Sequence, residues 1–220
     1  MKIELHVHSA EISPCGWMPV REVVDLYVAA GYDAIVLTNH FSPPARESLI
    51  EKGMEPSDFH RLYHETIEKA RAVGKERGLL VLGAYEVRFA CNANDYLVYG
   101  MTEEQCRDAD AIFAMTPEEF SEKAKREGFL FYQAHPFRNG MTVVDPKLLF
   151  GMEVRNTHPR HDSRNDIALA WAEKYHLHKI AGSDCHRVED LATSAILTDY
   201  PVKDISDLVH VLRSDLYTIV

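Results

Sequence analysis

Short apolar runs alternate with amphipathic helical stretches along the whole sequence. Ile3 to Val7, Ala34 to Leu37, Leu79 to Tyr85, Tyr96 to Tyr99, Phe129 to Ala134, Gly151 to Val154 and Lys179 to Ala181 read as strands. Between them, Val20 to Ala30 carries apolar residues at helical spacing until Gly31, and a second helix runs from Ser57 or Asp58 to Arg77 before Gly78. Thr116-Pro117-Glu118-Glu119 has the capping-box pattern of a helix ending at Gly128. Further helices are expected near Ser163 to Tyr175 and Ile205 to Leu212, and the Pro-rich stretch Phe41 to Pro56 reads as a loop. Strand-helix alternation predicts an α/β fold with parallel strands, and roughly six to eight such units can close into a barrel. Ligands in such folds gather at the carboxyl ends of the strands. No linker, fixed-period repeat or low-complexity stretch interrupts the pattern, so one domain over 1–220 is expected.

That map gives meaning to the 12 histidines. His6 and His8 end the first strand, and His40 follows the second. Glu86 ends the third, His135 follows the Phe131-Tyr132-Gln133-Ala134 strand, Glu153 and Asn156 flank the next, and Asp184-Cys185-His186 follows Ile180-Ala181-Gly182. Nearly every strand thus ends in a metal-capable side chain, on one rim. Residues i and i+2 of a strand share a face, so His6 and His8 can grip one ion. Oxygen and imidazole donors without paired thiolates suit Mn, Fe or Zn. His176 and His178 repeat the His-x-His spacing but precede their strand, which puts them on the opposite rim. His60 and His64 are one helical turn apart, but Arg61 stands where a zinc-protease helix has Glu, and the pair reads as a solvated face. His210 reads as packing or surface, and Glu153 as structural, ordering Asn156 or a turn.

Composition narrows the partners. The net charge of −10, from 34 acids and 24 bases, disfavours a long nucleic acid as main ligand, because phosphate neutralisation needs clustered Lys and Arg. Cys15, Cys91, Cys106 and Cys185 form no Cys-x-x-Cys pair and read as free thiols of a cytoplasmic chain. No apolar run approaches a membrane span, and no secretory leader is evident at the N-terminus.

The chain resembles the PHP family, the polymerase and histidinol phosphatase superfamily. The matching pieces are His6-x-His8-Ser9, Leu37-Thr38-Asn39-His40, Gly83-Ala84-Tyr85-Glu86, His135-Pro136, Glu153-Val154-Arg155-Asn156 and Gly182-Ser183-Asp184-Cys185-His186, in the family's order. The resemblance implies a distorted (β/α)7 barrel with two or three divalent ions (Mn, Zn or Fe) at the carboxyl ends of the strands. It implies that His6, His8, Glu86 and Asp184 hold one ion, that Glu86 bridges to a second held by His135, and that His40 and His186 hold a third. Asn39 stands where the family usually has Asp. The segment 11–16 replaces a turn that usually supplies an Asp or His ligand; Glu11 is the preferred substitute and Cys15 the alternative. Asn94-Asp95-Tyr96 stands where many members have a His, and Asp95 is a further alternative.

The implied reaction is attack of metal-activated water on phosphorus. Glu86 would hold the ions together, Arg138 and Arg160 on rim loops would stabilise charge on the equatorial oxygens, and His158 would protonate the leaving oxygen or bind phosphate. The expected substrate is a small-molecule phosphate ester, as for a histidinol-phosphatase-like hydrolase, with nucleic acid disfavoured beyond short oligonucleotides. A nuclease acting on short oligonucleotides and a non-catalytic metal-binding scaffold are the alternatives.

Overall fold

The computed structural model describes residues 1–220. Its strands are β1 Lys2–Val7, β2 Ala34–Leu37, β3 His40–Phe41, β4 Leu80–Gly83, β5 Tyr85–Val87, β6 Tyr96–Tyr99, β7 Leu130–Gln133, β8 Gly151–Asn156, β9 His178–Gly182, β10 Ile196–Leu197 and β11 Thr218–Ile219. Its helices are α1 Val20–Ala29, α2 Pro43–Glu51, α3 Phe59–Arg77, α4 Ala109–Phe113, α5 Pro117–Glu127, α6 Asn165–Lys174 and α7 Ile205–Arg213.

Local chemistry sets the helix ends. The Thr116 hydroxyl accepts from Glu119 N–H while the Glu119 carboxylate accepts from Thr116 N–H, which starts α5. Gly78 and Gly128 close α3 and α5 in the left-handed region, with φ of 78° and 82°. The stretch expected as a loop, Phe41 to Pro56, instead contains α2. Ser42 Oγ accepts from Ala45 N–H, and Pro43 occupies a first-turn position where a missing N–H is no loss.

Strand pairing divides into two sheets, ordered β11-β10-β1-β2-β4 and β3-β5-β6-β7-β8-β9. The mixed α/β class is as expected, but the ladders do not form one closed, all-parallel barrel. The runs 34–41 and 80–87 are each interrupted, so β2 pairs β4 in one sheet while β3 pairs β5 in the other. β6 runs antiparallel to both β5 and β7. No helix separates β5 from β6, and a chain that turns straight back can pair only antiparallel. The sheets meet where Val7 bridges Cys185: His8 N–H donates to Cys185 O at 2.9 Å, and Cys185 N–H donates to His6 O at 3.2 Å.

Both faces of the central strands are buried, which explains why they read as continuous apolar runs. Ile35 and Leu37 of β2 and Tyr96 and Val98 of β6 join a core with residues of α1, α3, α5 and α6. Ala34, Val36, Leu97 and Tyr99, which alternate with them, join a second core with Leu208, Val211 and Leu212 of α7. Gly182 ends β9 at a point of very close approach. A β-carbon there would lie 2.4 Å from His6 Cβ and 2.8 Å from Glu153 Oε1. No helix is long and apolar enough to cross a membrane.

Candidate metal centre

The strand ends bring six predicted residues onto one another. His6 Nε2 lies 3.2 Å from Glu86 Oε1 and 3.4 Å from Asp184 Oδ1. His8 Nε2 lies 3.4 Å from Glu86 Oε2 and 3.3 Å from Asp184 Oδ1. His135 Nε2 is 3.2 Å from Glu86 Oε1, and His40 Nδ1 is 2.6 Å from Glu86 Oε2. His186, a seventh, stacks on His8 with ring centroids 4.1 Å apart.

The nitrogens His6 Nε2, His8 Nε2 and His186 Nε2, with Glu86 Oε2, are buried without a hydrogen-bond partner. Each such orphan costs about 1–3 kcal/mol, so several facing one space mark a place for shared cations. His6–His8–Glu86, His6–His135–Asp184 and His8–His40–His186 each offer donor atoms within 4.8 Å of one another. The donor set is imidazole and carboxylate, and it fits divalent ions such as Mn, Fe or Zn. The electrostatics agree. Burial raises the Glu86 carboxyl, but His40 and His6 outweigh it and hold the group well below its ordinary value. Burial likewise opposes ionisation of Asp184 and is overcome by His6 and His186. Burial and the neighbouring His186 and His40 push His8 well down, leaving the neutral ring that ligation requires.

A second layer aims these rings. Glu153 Oε1 lies 2.9 Å from His6 Nδ1, while Oε2 accepts from His135 N–H at 2.8 Å and Asn156 Nδ2 at 3.0 Å. Glu153 therefore orders Asn156, as expected, and orients two histidines as well. Ser13 Oγ lies 3.0 Å from His8 Nδ1 and donates to Asn39 Oδ1, which also accepts from Ser9 N–H at 2.7 Å. Asn39 thus organises the loop that orients His8. His135 and Asp184 have φ of 27° and 53°, a left-handed conformation that costs of order 1–3 kcal/mol in non-glycine residues and clusters at functional sites.

Glu11 is not brought to the centre. Its carboxylate accepts from Val20 N–H at 3.1 and 3.2 Å and from Lys69 Nζ at 2.9 Å, because Pro19 provides no side-chain cap and α1 begins with unpaired donors. Cys15 takes the nearby position instead, with Sγ 3.2 Å from His40 Nε2. Burial raises the Cys15 thiol, but hydrogen bonds from His186 and His40 outweigh it and bring the pKa to about 6. Asp95 is engaged by Arg88 through two contacts of 2.7 and 2.6 Å. His178 lies 2.8 Å from Asp215 at the start of β9, the end opposite Asp184.

Beside the centre is a cavity of about 380 Å³ reached by His158, Arg138, Arg160, Arg88 and Arg187. Arg138 donates to Asp184 Oδ2 at 2.8 Å and Asn156 Oδ1 at 2.9 Å. Arg160 grips Asp190 through two contacts of 2.7 Å and lies 2.9 Å from His158 Nε2. Burial holds His158 down at about 4. Arg88 and Arg187 escaped the sequence reading. Each lies close in sequence to a predicted ligand, Glu86 or His186, and that proximity was the available signal.

No curated protein sequence matches the chain. A PHP-associated family model matches residues 162–215. Among solved structures, a two-domain protein of Bacteroides vulgatus containing a predicted PHP-like metal-dependent phosphoesterase matches with a TM-score of 0.69 at 17% identity, over 100% of this chain and 64% of that one. The structural match shows a likeness of fold over the whole chain, and the family-model match is confined to its C-terminal quarter. Endonuclease Q, in complex with a 27-mer duplex substrate carrying an abasic lesion at the active site, matches with a TM-score of 0.62 at 13% identity, over 97% of this chain and 56% of that one. An amidohydrolase of Chromobacterium violaceum with bound sulfate matches with a TM-score of 0.56 at 16% identity, over 100% of this chain and 98% of that one. The chain thus spans less than two thirds of the first two proteins. The endonuclease corrects the expectation that nucleic acid is disfavoured, since a protein of similar fold holds a duplex substrate at its active site. Net charge averages over the whole surface and says nothing of the four arginines around the cavity.

Proposed function

We propose that the protein is a metal-dependent phosphoesterase that hydrolyses a phosphate ester held in the cavity beside the centre. The observation that carries this reading is the convergence of unpaired imidazole nitrogens on Glu86 and Asp184. Residues 1–220 would form one hydrolase domain, with the two sheets an opened, distorted (β/α)7 barrel. His6, His8, Glu86 and Asp184 would hold one ion, Glu86 and His135 a second, and His40 and His186, with Cys15, a third. Ions bound there supply Lewis acidity, lowering the pKa of water and polarising phosphoryl oxygens.

The chain's own residues would do the rest. The cavity volume falls at the small end of the range for small-molecule sites, roughly 300–1,000 Å³, and suits a small phosphate ester. Arg138, fixed by Asp184 and Asn156, keeps its Nε without a partner and can donate to a phosphoryl oxygen. Arg160, locked on Asp190, positions His158. His158 is neutral near pH 7 and serves as a hydrogen-bonding group for phosphate rather than as a stored proton.

One observation favours a nucleotide-bearing substrate as a second reading. Trp17 is 65% exposed, and the Arg187 guanidinium lies 3.7 Å from its ring centroid. An exposed aromatic beside a phosphate site is a platform for a base, worth about 1–3 kcal/mol per stacked base. Trp17→Ala should then raise KM for an oligonucleotide by roughly 5- to 150-fold and leave glycerol phosphate unaffected.

The test uses the purified full chain. Metal content is measured first. Hydrolysis of glycerol phosphate, bis(p-nitrophenyl) phosphate and an abasic duplex is then assayed with added Mn. Metal-dependent cleavage of at least one ester, lost in Asp184→Asn, is expected. Bound metal with no ester cleaved would leave the scaffold alternative standing.

A further inference from the structure

His60 and His64 do not behave as a solvated helix face. Their rings sit 4.5 Å apart, centroid to centroid, on one side of α3. Facing them is the turn Glu104–Cys106, whose Cys106 is fully buried. Cys106 Sγ lies 3.7 Å from His64 Nε2. One donor atom from each of His60, His64 and Cys106 falls within 4.8 Å of the other two. The Glu103 carboxylate approaches the other ring nitrogen, His64 Nδ1, at 3.9 Å, on the side away from Cys106. Zinc bonds of about 2.0–2.1 Å to nitrogen and 2.3 Å to sulfur set tetrahedral donors roughly 3.3–3.8 Å apart, and the His64–Cys106 pair at 3.7 Å falls in that range.

This cluster is separate from the centre between the sheets. Glu86 and Tyr85 are neighbours on β5 and so point to opposite faces of the strand. Glu86 meets His6 and His40, whereas the Tyr85 hydroxyl meets His64 at 3.4 Å and Cys106 at 3.3 Å. We propose that His60, His64 and Cys106 form a second metal site that takes a zinc-class divalent ion, with water in the fourth position. Burial, with His60 alongside, holds His64 down at about 4, so its ring is neutral and its lone pair available. Burial keeps the Cys106 thiol protonated, at about 11, until a cation replaces the proton. Binding forms the metal–sulfur bond and releases that proton to solvent. Three protein donors shared between α3 and the 104–106 turn would tie that turn to the helix.

The test uses the full chain in a Cys15→Ser background, which removes the thiol beside the main centre. The protein is stripped with chelator and titrated with Co²⁺, then with Zn²⁺. A near-ultraviolet thiolate-to-cobalt charge-transfer band is expected, together with one metal equivalent lost in Cys106→Ser. The band should persist in His8→Ala, which damages the main centre, and Zn²⁺ should bleach it. His60→Gln lies on the accessible rim of the cluster and serves as the second variant if Cys106→Ser does not fold. It should weaken the band and leave phosphate-ester hydrolysis unchanged. Absence of the band, or its survival at full strength in Cys106→Ser or in His60→Gln, would overturn the proposal.

Discussion

Gly182→Ala puts one methyl group between β9 and β1, against His6. The new β-carbon would stand 2.4 Å from His6 Cβ, against about 3.5–4.0 Å for a relaxed carbon–carbon contact. The atom it meets is itself a β-carbon, so no rotamer of His6 relieves the clash and the strand must move by about 1 Å or more. Overpacking of this kind costs about 1–3 kcal/mol. For a chain of this length each kcal/mol lowers Tm by about 2–4 °C, which gives a drop of roughly 2–12 °C. The displaced backbone carries His6, and a misplacement near 1 Å can cost about 100-fold in rate. Calorimetry, metal content and hydrolysis of the best ester are measured side by side on wild type and variant. Wild-type Tm with wild-type metal content would refute the close-approach argument, because it would mean β1 and β9 have room that the structure denies.

Glu86→Gln keeps the shape but removes the negative charge that four imidazoles approach, and should lower both metal stoichiometry and hydrolysis by orders of magnitude; unchanged values of both would rule out a bridging role. Glu153→Ala takes the partner from His6 Nδ1 and from His135 N–H and should weaken metal affinity about 10- to 100-fold, read by competition with a chelating dye. Glu11→Ala should leave metal content intact and lower stability by about 0.5–2 kcal/mol in urea melts, as loss of a helix-end acceptor does; loss of an ion would instead restore Glu11 as a ligand.

The parts of the molecule legible in sequence are those governed by neighbours in the chain. Thr116 and Glu119 specify the start of α5, and Gly78 and Gly128 specify helix ends, within a few residues. The strand-end histidines were legible because strand direction alone puts them on one rim. What escaped depended on distant partners. Pro43-Pro44 reads as loop punctuation until Ser42 is seen to cap Ala45. Glu11 looks like a ligand until the bare N-terminus of α1 is found beside it. The pairing of His60 and His64 with Cys106 spans more than forty residues, and no local spacing rule reaches that far. The two-sheet arrangement depends on interruptions at Thr38-Asn39 and Ala84, which an apolar run does not reveal.

The order in which the centre's residues leave the ribosome follows from their places in the chain. His6, His8, His40 and Glu86 belong to the first half, whereas Asp184 and His186 follow β9 near the end. A nascent chain therefore carries several imidazoles and a carboxylate for much of its synthesis before the partners that complete the set exist. Domains are generally assembled as units once enough chain has emerged, and a metal site rarely exists before folding. The contact that brings the two groups together is the junction of Val7 with Cys185, residues about 180 positions apart. Assembly of the cluster is thus deferred until β9 has been made, long after His6, His8, His40 and Glu86 have emerged.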